Sequence, residues 1–285
     1  MKTSVRQRFF IICAAILFPL ACHGVEIEER VIEKAILEIV YERIVVTDTL
    51  IPDKDFKRNV FNLKIGENVS GFYSDALRRE DSLEHHVHGY YRLYWDDLGY
   101  RARYNSLPQD YLYKYKKESK IITHDRFDLA HWLCEEEWER PEWTVTDSVS
   151  SVIGYQCILA TCEFRGRKWS AWFTPEIPVQ EGPWKLCGLP GLILSAGDDR
   201  GHYIFNALEI KTEGTGNVDY FRYHDVIKTN RIRFLTTKWK YLHKDIGYEI
   251  VSSGMFGIKP NPGLKRKEKM PHSNYDLEET DFPHE

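Results

Sequence analysis

Along most of the chain apolar and polar residues alternate with the two-residue period of half-buried strands. Phe61, Leu63 and Ile65 alternate with polar neighbours, the pattern breaks at Gly66-Glu67-Asn68, and Val69, Phe72 and Tyr73 resume it. This predicts a β-hairpin. A second hairpin is predicted around Arg165-Gly166, and its first strand is apolar on both faces, with Tyr155, Cys157 and Leu159 on one and Ile158, Ala160 and Phe164 on the other. Such a strand is covered on both sides. In the return strand Trp169 shares a face with Ala171 and Phe173, while Trp172 lies with Lys168 and Ser170. Trp169 is therefore expected in the core, and Trp172 nearer the surface or lining a concavity. A third hairpin turns at Gly197–Gly201, and steps of three and four at Ile232, Leu235, Trp239, Leu242 and Ile246 predict one helix near 224–246. The fold class that follows is mainly β, an antiparallel meander curved into a half-barrel or open barrel, with a C-terminal helix covering one face or opening.

The 285 residues fit a single β-rich domain, and 42% apolar and 14% aromatic content suits a sheet core. Lys2, Arg6 and Arg8 precede an apolar run from Phe9 to Ala21, with small residues at Cys22 and Gly24. This order predicts a signal peptide over 1–24 and a mature chain beginning near Val25, exported to the periplasm or outer envelope. Lipid attachment at Cys22 is the alternative. No later stretch is apolar for long enough to span a membrane as a helix. The domain is expected over 25–253, followed by a loosely held tail over 254–285 rich in Pro, Gly and charge. The net charge is −4, and the leader carries three basic and no acidic residues, so the remainder is more acidic still. Bulk charge thus argues against nucleic acid as a partner, and the basic run Lys265–Lys269 reads as solvated tail.

In Leu189-Pro190-Gly191-Leu192 the Pro-Gly pair matches a type II turn, with Gly191 at the positive-φ place. Upstream, Pro175, Pro178, Gly182 and Pro183 favour an extended chain lying across a surface, with Trp184 as anchor. Cys134, Cys157, Cys162 and Cys187 allow two disulfides in any of three pairings, or buried free thiols. Cys157 and Cys162 fall on opposite faces of one strand and are not expected to pair with each other. His86 and His88 would share one face of a strand, opposite His85, and could hold zinc or copper if His124, His131 or Cys134 completed the set. Solvated loop histidines are the plainer reading. Asp96-Asp97 and Asp198-Asp199 read as turn residues. The sequence carries no nucleophile elbow, zinc-protease helix motif, P-loop or dinucleotide fingerprint.

Four stretches in order, "LKIGENVSGFYS", "GYQC", "FRGRKWSAWFTPEIPVQEGPWK" and "GLPGLIL", closely resemble the GLPGLI family of exported Bacteroidetes-type proteins. The resemblance runs from about Val40 to Ile210, and "NYDLEE" echoes that family's acidic ending, with departures from Asp276 onward. It implies a β-rich envelope protein of uncharacterised function, often encoded near TonB-dependent outer-membrane receptors, with no established catalytic residues. The function expected is a non-enzymatic binding or accessory protein, without cofactor, for a peptide, a lipid or an outer-membrane receptor. Its surface would be drawn from Trp169, Trp172, Trp184 and the loop residues Leu189, Pro190, Gly191 and Leu192. The alternative is a metal-binding protein or metallohydrolase centred on His86 and His88.

Overall fold

The structure is a computed structural model that describes residues 27–50, 52–53, 56–87, 99, 108–127, 130–223, 225–243 and 277–284. The strands are β1 (Ile27–Lys34), β2 (Leu37–Val46), β3 (Phe56–Ile65), β4 (Val69–Ser74), β5 (Tyr111–Tyr115), β6 (Lys120–Phe127), β7 (Ala130–Glu137), β8 (Thr144–Val152), β9 (Tyr155–Phe164), β10 (Arg167–Thr174), β11 (Leu192–Asp198), β12 (Tyr203–Lys211), β13 (Asn217–Tyr223) and β14 (Val226–Thr229). Among the described residues two helices join them, α1 (Asp75–His86) and α2 (Arg231–Leu242). Twelve strands form one sheet in the order β14-β7-β6-β5-β4-β3-β2-β12-β11-β10-β9-β8, and β1 pairs with β13 in a separate ribbon. All pairings are antiparallel except β14 on β7.

The sheet is two meanders, β2 to β7 and β8 to β12, fused along β2 and β12. Its curvature follows from chain length. Between β7 and β8 lie ten strand spacings, about 48 Å in a flat sheet at the usual inter-strand distance. Only residues 138–143 connect them, and that link reaches about 24 Å at full extension. The sheet therefore curls until its two ends approach. It stays open, because β8 pairs only with β9. The expected half-barrel or open barrel is thus the observed architecture.

All three predicted hairpins form, as β3–β4, β9–β10 and β11–β12. Trp169 is fully buried and Trp172 half-buried, as the face rule requires. The segment 175–191 lies along the surface only over 175–180; from Glu181 onward it tucks inward, burying Trp184, Leu186, Cys187 and Leu189 in one cluster with Trp169, Phe205 and Leu194. Polar locks hold it there. Lys114 donates to Glu181 at 2.9 Å and to the Gly182 carbonyl at 3.0 Å, Ser70 donates to Glu181 at 2.8 Å, and Ile193 N–H donates to the Glu181 carbonyl at 3.0 Å.

Gly191 corrects the turn argument. It is absent from the positive-φ positions, which in this loop fall at Trp184 (φ 52°) and Gly188 (φ 92°). Its N–H bonds instead to the Leu189 carbonyl at 2.7 Å, a three-residue turn with Pro190 at the centre. Glycine is required for close approach: a Cβ here would strike the Thr174 carbonyl oxygen and lie 2.7 Å from its carbon and 3.0 Å from Pro175 Cα. Asparagine and valine should then be equally unwelcome, each costing about 1–3 kcal/mol as an overpacked site does. Melting curves check this; a Gly191→Asn protein as stable as wild type would restore the type II turn.

Three further expectations change. The stretch holding His85 and His86 is α1, not a strand, and its buried face is Leu77, Glu80, Asp81 and Glu84. Residues 226–229 form β14, so the second helix starts only at Arg231, where Asn230 Oδ1 accepts from Arg233 N at 3.0 Å. That helix buries Phe234 and Leu235 and leaves Ile232 exposed, while Ile246 lies outside the described residues. The described part of the tail, 277–284, is docked: Leu277, Glu279 and Phe282 are buried.

Candidate functional site

The docked stretch lies against cationic side chains brought from several elements. Arg165 and Arg167 flank the tight β9–β10 turn, where Arg165 (φ 53°) and Gly166 (φ 78°) reverse the chain. Lys185 comes from the inward loop, Arg43 from β2 and Arg231 from the first turn of α2. Together they form a seat for residues 277–284.

Main-chain contacts fix the segment in place. Thr280 N–H donates to the Arg165 carbonyl at 2.9 Å and Thr280 Oγ1 to the Gly166 carbonyl at 2.8 Å. A Cβ on Gly166 would collide with Thr280 and lie 2.8 Å from Asp281 N, so the turn is shaped for passing backbone. Arg167, fully buried, donates to the Leu277 carbonyl at 2.5 Å and to the Glu278 carbonyl at 3.1 Å. Asp198 aims that guanidinium through a 2.6 Å ion pair, and its other oxygen accepts from Tyr203 N at 2.8 Å. Asp198 is therefore a buried positioning group as well as the turn residue expected, its carbonyl accepting from Gly201 N at 3.0 Å.

Charge contacts add selectivity. Glu279 sits between Lys185 (2.5 Å), Arg231 and Arg165 (3.6 Å). Glu136 of β7 faces the same three cations, at 3.1 Å from Arg165 and 3.8 Å from Arg231 and in direct contact with Lys185. Arg43 reaches Glu278 at 3.1 Å and Asp110 at 3.2 Å, and Asp281 pairs with Arg231. Burial pushes the carboxyl of Glu279 up, but Lys185 and Arg231 outweigh it, so its pKa lies below the ordinary value. At Glu278 burial wins over Arg43 and Lys238, and its pKa lies above. The Lys185 pKa is raised: desolvation opposes its charge, and Glu279 and Glu136 prevail. Leu277 and Phe282 anchor the two ends in a cluster with Phe127, Trp132, Phe234 and Leu235. Beneath the segment lies a cavity of about 40 Å³ lined by residues including Cys134, Lys185 and Glu278.

The residues expected to form an aromatic binding surface are mostly core. Trp169 and Trp184 are buried, with ring centroids 5.4 Å apart, and Leu189, Gly191 and Leu192 are buried too. Only Pro190 is exposed and Trp172 half-exposed. His86 lies on the surface of α1, its Nδ1 2.8 Å from the Ser82 carbonyl oxygen, while His88 lies outside the described residues. Among the described residues no group of three potential metal ligands occurs. His124 and His131 do meet, with ring centroids 5.3 Å apart and both rings against Tyr223, but Cys134 is on the other face of β7. Both are held neutral by burial, His131 down to about 4. Asp81 of α1 accepts from Tyr111 Oη at 2.5 Å and from Tyr223 Oη. The four described cysteines are free and buried, and burial lifts Cys134 and Cys162 to about 12, so they are inert thiols.

A family model described as a protein of unknown function (Porph_ging) matches residues 164–195. That stretch includes Arg165, Gly166, Arg167 and Lys185 of the seat. No protein of curated function matches the sequence. Two solved structures of PNGF-II, in the P21 and C2 space groups, are similar at 12% identity with TM-scores of 0.47 and 0.46, covering 72% and 74% of this chain. The chain spans about a third of the length of those structures, 33% in each.

Proposed function

We propose that the chain is an exported cell-envelope protein of the GLPGLI type that acts as a non-enzymatic accessory protein and binds extended polypeptide at the seat. The observation that carries this reading is the docked stretch 277–284, gripped through its carbonyls, one N–H and its carboxylates. These contacts position a chain, and their chemistry is that of recognition: paired ions and carbonyls, with no nucleophile set against a base. Between a lipid and a peptide, the character of the walls decides. An acyl chain calls for an apolar pocket of roughly 300 Å³ or more. The cavity beneath the segment holds about 40 Å³, with eight of its fifteen lining residues charged, and the hollows of about 580 and 650 Å³ beside it are lined mainly by charged and polar residues, among them Glu136 and Arg231.

Export rests on the order of basic, apolar and small residues over 1–24, with lipid attachment at Cys22 as a variant of the same route. The resemblance to GLPGLI proteins suggests the partner's class, a polypeptide of the outer envelope such as a TonB-dependent receptor. The metal reading would need a third ligand for His86 and His88.

The test is a photo-crosslinking residue at Arg233, exposed on α2 beside the seat, in protein expressed in its native envelope. We expect capture of a defined envelope polypeptide, lost when Arg165 is changed to Glu, and mass spectrometry should place the mature N-terminus near Val25. Capture unaffected by Arg165→Glu, or only of lipid, would sink the reading.

A further inference from the structure

The seat was not built around segment 277–284 alone. Each of its cations keeps a counter-ion from the body of the protein: Arg167 has Asp198, Arg43 has Asp110, and Arg165, Lys185 and Arg231 share Glu136. Arg165 has a further partner in Glu139 at 2.9 Å. Removing the segment would leave every cation near an opposite charge, but Arg165, Lys185 and Arg231 would outnumber Glu136 and Glu139, so the vacated seat calls for another acid. The seat is pre-organised.

The segment itself has the form of a short linear ligand. Two apolar anchors, Leu277 and Phe282, lie five residues apart, with one buried acid, Glu279, between them. The intervening Thr280 is bound through its N–H and hydroxyl, and Asp281 stays 39% exposed at the rim. Main-chain bonds accept any extended chain, so selection falls on the acid and the two anchors. Without its segment the seat sets five cations against the four body carboxylates named above, Asp110, Glu136, Glu139 and Asp198, so the surplus charge is of opposite sign to the chain's net −4 and small.

We infer that segment 277–284 is an internal stand-in for the ligand, and that the seat takes an extended acidic segment of a partner polypeptide, of the pattern apolar-x-acid-Thr-x-aromatic, by displacing it. This deepens the peptide-binding reading above and rests on it. Occupation in cis raises the threshold for a partner in trans, since an intramolecular segment competes at high effective concentration. A partner therefore needs better anchors or several contacts to win.

The experiment uses the full chain and a labelled synthetic peptide with the sequence of residues 277–284. The comparison is between wild type and a Leu277→Ser, Phe282→Ser variant, in which the segment loses its anchors and the seat's cations are untouched. We expect the variant to bind the peptide at least tenfold more tightly than wild type and to melt higher when the peptide is added. A peptide with Lys in the place of Glu279 should not bind. Equal affinity for wild type and variant would overturn displacement while leaving peptide binding intact. Binding to neither folded protein would overturn both. Should the double variant fail to fold, Phe282→Ala alone gives the same comparison.

Discussion

Truncating Trp169 to alanine should unfold or nearly unfold the protein, at a cost of about 3–5 kcal/mol, whereas Trp172→Ala should cost about 1–2 kcal/mol. The two rings are three residues apart on β10 and chemically identical, so the difference is one of position. Trp169 is 1% exposed, stacks at 5.4 Å on Trp184 and 6.3 Å on Phe205, and donates from its indole N–H to the Phe164 carbonyl at 3.2 Å. Its loss opens a cavity where the inward loop meets the curled sheet, and that loop carries Lys185. Trp172 stands on the opposite face, opposite Leu159 and Ser195, beside a bulge in the β10–β11 ladder. Denaturant titration of both variants decides the matter. Similar losses for the two would mean that Trp172 also supports the core, against its half-exposed position.

The strands were legible because their signal is local. Period-two alternation at Phe61, Leu63 and Ile65 or at Trp169, Ala171 and Phe173 needs only neighbours, and it gave the hairpins and the burial of Trp169. Helix α1 was hidden for an equally physical reason. Its buried face is Leu77, Glu80, Asp81 and Glu84, so the helical period is written in carboxylates that a hydrophobic pattern does not register. The Pro-Gly pair points to a conformational glycine at Gly191, whereas the limit on it is the Thr174 carbonyl, contributed by strand β10. The seat was invisible for the same cause at larger scale. Lys185 meets Glu279 across 94 residues, Arg167 meets Leu277 across 110 and Arg43 meets Glu278 across 235. Taken alone these residues share no signal, since they fall on a strand, beside a turn, in a loop and in the tail. Only the curl of the sheet, forced by the short β7–β8 link, brings them together.

That convergence makes Glu279 the most sensitive position in the segment. Glu279→Ala should destabilise the protein by about 3–5 kcal/mol, the usual effect of removing one partner from a buried ion cluster. The reason is a local surplus of charge: Lys185, Arg231 and Arg165 would be left to Glu136, with Asp281 and Glu139 helping from more exposed places. Lys185→Met removes part of that surplus. In the Glu279→Ala background it should therefore cost much less than it does alone, and the double-mutant cycle should give a coupling of about 1–3 kcal/mol. Acid should imitate the single variant. Glu279 has a folded pKa below the ordinary 4.5, so its stabilising contribution is present above that value and is lost as the pH falls through the folded pKa. Additive losses in the cycle would show that the ions act one by one, and that the seat holds its segment through the carbonyls of 277 and 278 and the N–H of Thr280 instead.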